Sequence, residues 1–312
     1  MVSGTKILFS NLEGWDKEDH SEALEVFSRS SNLISGLEER NTHSILNTKT
    51  SAKTFFEEMF IPTVILPQKE VLFTGYYEPE ISGSILRDDE FKYPIYSKPK
   101  ELNPLRKWFS RRDIEEKNIL KHRNLELLFL RSKLDVFLLQ LQGSGRINLR
   151  NGSVIRVGYD CKNGHDYVSI GKILVERRVF SSRTISHEGL KDWIIKNPKE
   201  GNELMYENPS YVFFKVISDL DIQKGPIGTA KIPLQSLRSI AVDPAHIPLG
   251  SPIWIEKKGY PSLKRIMIAQ DTGSAIVGPS RADIYCGTGK IAEKMAGGIK
   301  EYGNMVVLRK RN

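Results

Sequence analysis

Residues 239–309 read SIAVDPAHIPLGSPIWIEKKGYPSLKRIMIAQDTGSAIVGPSRADIYCGTGKIAEKMAGGIKEYGNMVVLR. Short apolar runs at 239–242, 252–256, 265–270, 283–285 and 305–309 alternate here with turns that carry Gly or Pro. Runs of this length bounded by turn residues are strand-sized and too short for helices. Several in succession predict a β-barrel rather than a doubly wound sheet. Three aspartates mark the same stretch: Asp243 in Ala-Val-Asp-Pro, Asp271 in Ala-Gln-Asp-Thr-Gly, and Asp283 in Arg-Ala-Asp-Ile-Tyr. They stand 28 and 12 residues apart, so no single helical face holds them. They meet only if the strands that carry them fold together.

An aspartate beside Gly or Pro has an ordinary explanation, because its side chain caps its own backbone in a turn. For any one of the three, turn chemistry is the default. For three near strand ends of one barrel segment, a shared site is the better account. Asp283, flanked by Ile284 and Tyr285, is the candidate proton donor. Burial disfavours the charged carboxylate, and a general acid must hold its proton near neutral pH.

Other chemistries lack an anchor. The six histidines, at 20, 43, 122, 165, 187 and 246, form no H-E-x-x-H, and no G-x-S-x-G occurs. Gln142-Gly-Ser-Gly145 is not G-x-G-x-x-G, lacks a Gly-Lys-Ser/Thr ending, and runs into a hairpin. It reads either as a plain strand-turn or as a bend bringing Gln142 and Ser144 to a polar ligand. Cys161 and Cys286 have no metal-ligand spacing and read as two core thiols, with pairing in an oxidising compartment as the alternative. No metal and no cofactor is expected.

Working outward, residues 15–39 predict a helix with Asp16 as N-cap, and 51–60 a second helix. Residues 71–79 predict a strand ending at a Gly/Pro break, and 93–96 another extended piece. The charged stretch 98–133 reads as a solvated helix with loops. Residues 136–141 predict a strand, Asn151-Gly152 a hairpin turn, 186–196 and 200–207 helices, and 211–216 a strand.

The chain has 312 residues, 39% hydrophobic and 27% charged, ordinary for a globular protein of one large or two ordinary domains. Its net charge of +8 suits a plain basic protein or one drawn to an anionic polymer: nucleic acid, acidic lipid or an acidic glycan. Charge alone does not choose. The basic stretch lacks the interleaved aromatics of a single-strand binder, so no nucleic-acid role is expected. No apolar run reaches membrane-spanning length. Residues 1–6 show no charged region followed by an apolar core, so the chain reads as cytoplasmic, or its export signal lies outside this sequence.

Several segments together resemble the MltA family of lytic murein transglycosylases. They are Phe73-Thr-Gly-Tyr-Tyr-Glu-Pro79, Tyr93-Pro-Ile-Tyr96, Gln142-Gly-Ser-Gly-Arg146, Lys162-Asn-Gly-His165 with Tyr167 and Ser169-Ile-Gly-Lys172, Asn208-Pro-Ser-Tyr-Val-Phe-Phe214, and the aspartate region. The resemblance runs from about Phe73 to the C-terminus. It implies a mainly β fold with peripheral helices: a double-psi β-barrel from residues 1–79 and 223–312, and an inserted β-rich domain from 80–222, with a substrate groove between them.

The resemblance also implies an activity. The family cleaves the β-1,4 bond between N-acetylmuramic acid and N-acetylglucosamine without water, leaving a 1,6-anhydromuramic end. Asp283 matches the catalytic acid/base, with Asp271 and Asp243 in supporting roles. Thr74, Gly75, Tyr76, Gln142, Ser144 and Gly145 would line the groove. The implied partner is the peptidoglycan strand, met by a monomer in the periplasm with outer-membrane association. Ser274 and Cys286 stand where the family leads one to expect Gly and a bulky aromatic. They keep one alternative open, a non-catalytic glycan-binding protein; a hydrolase that admits water, using Asp271 or Asp243 as base, is a separate second alternative.

Overall fold

The computed structural model describes residues 4–35, 37, 51–65, 70–103, 105–181, 184–218, 220–259 and 262–311. The strands among them are β1 (Gly4–Lys6), β2 (Phe60–Ile65), β3 (Val71–Glu78), β4 (Glu80–Ser84), β5 (Tyr93–Tyr96), β6 (Glu126–Leu130), β7 (Ser144–Asn148), β8 (Val154–Lys162), β9 (Val212–Ile217), β10 (Ser239–Ala241), β11 (Pro252–Lys257), β12 (Leu263–Asp271), β13 (Arg281–Thr288) and β14 (Lys300–Lys310). The helices are α1 (His20–Ser28), α2 (Ala52–Met59), α3 (Arg111–Glu116), α4 (Lys133–Gln142), α5 (Ile170–Glu176), α6 (His187–Lys196), α7 (Pro198–Tyr206) and α8 (Gly289–Gly298). The fold is mainly β and divides into two compact units. One comprises Met1–Tyr77, Ile222–Gly287 and Ile291–Asn312, the other Glu78–Asp221 and Thr288–Lys290.

In the first unit β14, β11, β12, β10, β13 and β3 neighbour one another in that order, and β3 returns to pair with β14. A six-stranded barrel closes, with β2 and β1 continuing outward from β14. Closure removes the free edges that an open sheet would expose. Alternation on three strands builds two cores at once. Ile253, Ile255, Met267, Ala269, Met305 and Val307 fill the barrel. Their neighbours Trp254, Ile266, Ile268, Val306 and Leu308 pack on the opposite face, with Phe27, Phe55 and Phe56 of α1 and α2. Strands buried on both faces read as continuous apolar runs, which is why these segments stood out.

One short strand decides where the acids go. β10 pairs in parallel with β12 and antiparallel with β13, so Ala241 is partnered by Asp271 on one side and Asp283 on the other. Residues separated by twelve positions in sequence thus come level across a single strand.

The second unit holds a six-stranded sheet in the order β5-β6-β4-β7-β8-β9. Here the strand expected at 136–141 is instead α4. Val136 and Leu139 of that helix face the sheet core, while Leu134, Phe137 and Leu138 face a second core with α5, α6 and α7. A helix buried on two sides has no polar face to reveal its period, so its apolar run mimics a strand. The end signals were present: Ser132 accepts from the Asp135 N–H, and Gly143 closes the helix in the left-handed region at φ 75°. Gln142-Gly-Ser-Gly145 is therefore a helix-to-strand junction.

The hairpin at Asn151-Gly152 joins β7 to β8 as expected. The helix expected over 15–39 is broken. A 3-10 turn at Trp15–Lys17 precedes α1, and another follows at Ser31–Leu33. Asp19, not Asp16, caps α1 by accepting from the Glu22 N–H, while Asp16 pairs with Lys53. The end expected near Glu39 lies outside the described residues. Further elements escaped the sequence reading, among them β1, β4, β6 within the charged stretch, α5, and α8 between β13 and β14. Cys161 and Cys286 are both buried free thiols.

Candidate active site

Asp283 projects from β13 away from the barrel core, since its neighbours Ala282 and Ile284 belong to that core. The same alternation on β3 puts Phe73 and Tyr77 inside and frees Thr74 and Tyr76 for the face the acids use. Thr74 donates its hydroxyl to Asp283 Oδ1 at 2.6 Å. Tyr76 donates its phenol to Asp271 Oδ2 at 2.8 Å. The other oxygen of Asp271 accepts from the backbone N–H and the hydroxyl of Thr229, both at 3.0 Å. The rings of Tyr76 and Tyr285 lie 5.4 Å apart and form an aromatic wall beside the acids.

The two carboxyls are only partly exposed, and their surroundings work against ionisation. Burial raises the pKa of Asp283 above the usual carboxylate range. Thr74 and the nearby Arg281 cation oppose the rise, and the charge of Asp271 adds to it. Burial likewise raises Asp271, against its hydrogen bonds from Tyr76 and Thr229. The Tyr76 phenol is pushed well above its ordinary value by burial and by Asp271, so it stays a donor.

Asp243 sits differently. It follows β10 and accepts from the Ala245 N–H at 3.0 Å and the Gly278 N–H at 2.7 Å. Those bonds hold its pKa below the usual value. They tie the turn after β10 to the loop that leads into β13.

Gly75 lies between Thr74 and Tyr76 but is turned to the opposite face. A Cβ there would meet Ala296 Cα at 2.7 Å and Cys286 Sγ at 3.0 Å. The missing side chain lets α8 lie directly on β3. Gln142, Ser144 and Gly145 belong to the second unit. There Gln142 ends α4, Ser144 opens β7 half-buried, and Gly145 is buried where a Cβ would strike Leu139 at 2.4 Å. Ser274 is exposed and outside the left-handed region, so glycine is not required there. Cys286 fills barrel core next to Gly75, where burial pushes its thiol up to about 12.

Sequence reading missed two members of the site. Arg281, two residues before Asp283, donates to Thr74 Oγ1 at 2.7 Å. A strand's period of two was a signal that could have found it. Thr229 carried no signal, because its link to Asp271 spans 42 residues.

Family profiles match the chain twice: an MltA specific insert domain over residues 72–215 and a 3D domain over residues 238–309. The membrane-bound lytic murein transglycosylase A of Vibrio cholerae is 35% identical over 249 residues, 76% of this chain. That alignment spans 65% of the length of the Vibrio protein. Among solved structures, a membrane-bound lytic murein transglycosylase from Agrobacterium tumefaciens superposes with a TM-score of 0.88 at 29% identity, covering 99% of this chain and 98% of its own. Escherichia coli MltA with bound chitohexaose gives a TM-score of 0.78 at 28% identity, covering 100% of this chain and 92% of that one. A closed barrel and a second β-rich unit in one mainly β chain define the class as a lytic transglycosylase fold. The chain belongs to the MltA family of lytic murein transglycosylases.

Proposed function

We propose that this protein is a peptidoglycan lytic transglycosylase with Asp283 as its single catalytic acid and base. The observation that carries the reading is the asymmetry between the two neighbouring carboxyls. Asp283 is held by one hydroxyl at Oδ1, which leaves Oδ2 for a substrate. Asp271 has both oxygens engaged, by Tyr76 and Thr229. A hydrolase with inverting geometry needs a second carboxylate free to activate water. Asp271 is poorly placed for that and well placed to raise the pKa of Asp283.

In the reaction, protonated Asp283 gives its proton to the glycosidic oxygen as the C1–O bond breaks. The bonding pair leaves with the N-acetylglucosamine oxygen, and the muramic ring passes through an oxocarbenium-like state. The C6 hydroxyl of the same sugar attacks C1. Asp283, now a carboxylate, takes the hydroxyl proton and is restored. The nucleophile belongs to the substrate, so its attack avoids the entropic cost of recruiting water.

Thr74 and Tyr76 would border the reacting bond, with the partly exposed Tyr76 ring suited to the apolar face of a sugar and backed by the buried Tyr285. Gln142 and Ser144, in the proposed inserted domain of residues 80–222, carry polar groups suited to sugar hydroxyls. The chitohexaose bound by the Escherichia coli relative supports a glycan strand as ligand. The name of the Vibrio relative supports a place at the cell envelope with membrane association. Among the described residues no helix is long and apolar enough to cross a membrane.

Digestion of purified peptidoglycan, with products read by mass spectrometry, tests the proposal. The parent should release anhydromuropeptides and Asp283→Asn should not. Products heavier by one water would replace the transglycosylase reading with a hydrolase.

A further inference from the structure

Arg281 is half-buried on β13, and its guanidinium reaches across to β3. Nη1 donates to the carbonyls of Leu72 at 3.1 Å and Ala282 at 2.9 Å. Nη2 donates to Thr74 Oγ1 at 2.7 Å. A guanidinium carries donors only. The Thr74 oxygen must therefore accept from Arg281, and its single proton is left for Asp283 Oδ1, 2.6 Å away. Oδ1 is then an acceptor in turn. The transferable proton has to sit on Oδ2.

We propose that Arg281 is a positioning residue: acting through Thr74, it sets the direction of this hydrogen-bond chain and so which oxygen of Asp283 carries the acid proton. The proposal rests on the reading of Asp283 as the acid. Without Arg281, the Thr74 hydroxyl can rotate and accept from a proton on Oδ1. That proton would then point at Thr74 rather than at the glycosidic oxygen. The two backbone bonds of Arg281 matter equally, because they hold the guanidinium in the one orientation that aims Nη2 at Thr74. A lysine can keep the charge but cannot make all three contacts in that plane.

The groups that face Asp283 act on its pKa in opposite senses. Thr74 and Arg281 lower it, while burial and Asp271 raise it. Loss of Thr74 or Arg281 should therefore raise the pKa of Asp283. The general acid would keep its proton to higher pH, and the alkaline limb of the rate profile should move up.

The experiment is a pH–rate profile on purified peptidoglycan for the parent, Thr74→Ser, Thr74→Val, Arg281→Lys, Arg281→Gln and the Thr74→Val/Arg281→Gln double variant. Thr74→Val keeps the side-chain shape. It should lower kcat by roughly 10- to 100-fold with KM near the parent value, since misaiming one proton costs orientation. Its alkaline limb should rise by roughly one pH unit. Thr74→Ser should restore both. Arg281→Gln should shift the limb the same way, whereas Arg281→Lys should lose kcat with a smaller shift. The double variant should lose no more than the worse single variant, because both act through one contact.

The proposal is overturned if Thr74→Val keeps the parent kcat and limb. Serine behaving like valine at position 74, or losses that multiply in the double variant, would overturn it equally. Should the Arg281 variants fail to fold, the serine/valine pair at Thr74 still decides. Asp283→Asn assayed alongside separates two failures: anhydro products persisting there would sink the acid assignment itself rather than the relay.

Discussion

Asp243 lies just past the end of β10 and Asp283 near the start of the neighbouring β13, and the two meet opposite environments. Asp243 accepts from two backbone N–H groups in an accessible turn, and its pKa is lowered. Asp283 accepts one hydroxyl, sits beside a second carboxyl, and is raised. The first arrangement is how a fold uses a charge to fasten a loop. The second is how a fold disfavours ionisation of a carboxyl, the direction a general acid needs. The residue type is the same. What differs is how many N–H groups reach the carboxylate, and what charge stands opposite.

The contrast is most easily broken at the acid. Asp283→Asn should lower the rate of anhydromuropeptide release by roughly 10³-fold, the scale of a lost general acid. Full activity in that variant would remove the distinction between the two sites.

Asp271→Asn should act through pKa. Loss of a neighbouring negative charge makes the Asp283 proton easier to lose, so its pKa falls. The alkaline limb should move to lower pH, opposite to the Thr74→Val shift, with a rate loss at neutral pH of roughly tenfold. A limb that stays in place would mean the two carboxyls are not coupled.

Gly75→Ala tests the support beneath the site. A methyl group there meets Ala296 backbone and Cys286. Overpacking of this kind costs roughly 1–3 kcal/mol and should appear as a lower midpoint in denaturant. An unchanged midpoint would show that α8 can move away from β3 at little cost.

The smallest effects should carry the sharpest sign. Asp243 has a lowered folded pKa, so its stabilisation is present above the unfolded value and is lost as pH falls through the folded one. Asp243→Asn should destabilise by roughly 1 kcal/mol at pH 7 and by little near pH 3. Asp283 has a raised folded pKa. Its contribution is greatest below the unfolded value and declines as pH rises through the folded one. Asp283→Asn should therefore leave stability unchanged or increase it at pH 7. Thermal melts at the two pH values compare the variants directly, and shifts of the same sign at pH 7 would undo the comparison.

Much of the barrel was legible because its information is local. The runs around Ile253, Ile266 and Val306 are strand-length, apolar on both faces and bounded by turns. Turn chemistry also identified the Asn151-Gly152 hairpin. Where neighbours rather than residues choose the conformation, sequence was ambiguous. Residues 136–141 are apolar apart from the buried Gln140 because cores press on α4 from two sides, and that pressure comes from segments far along the chain.

The site divides along the same line. The sequence by itself determined that the chain carries three aspartates at turn-bounded strand ends, a Thr-Gly-Tyr strand, and no serine-hydrolase or zinc-peptidase motif. Tertiary structure decided which aspartates meet. The register across β10 sets Asp271 and Asp283 on either side of Ala241, β3 brings Thr74 to one and Tyr76 to the other, and Asp243 is left fastening a loop. Burial and charge spacing set a pKa, and both depend on strand pairings between residues far apart in sequence, which no local window contains.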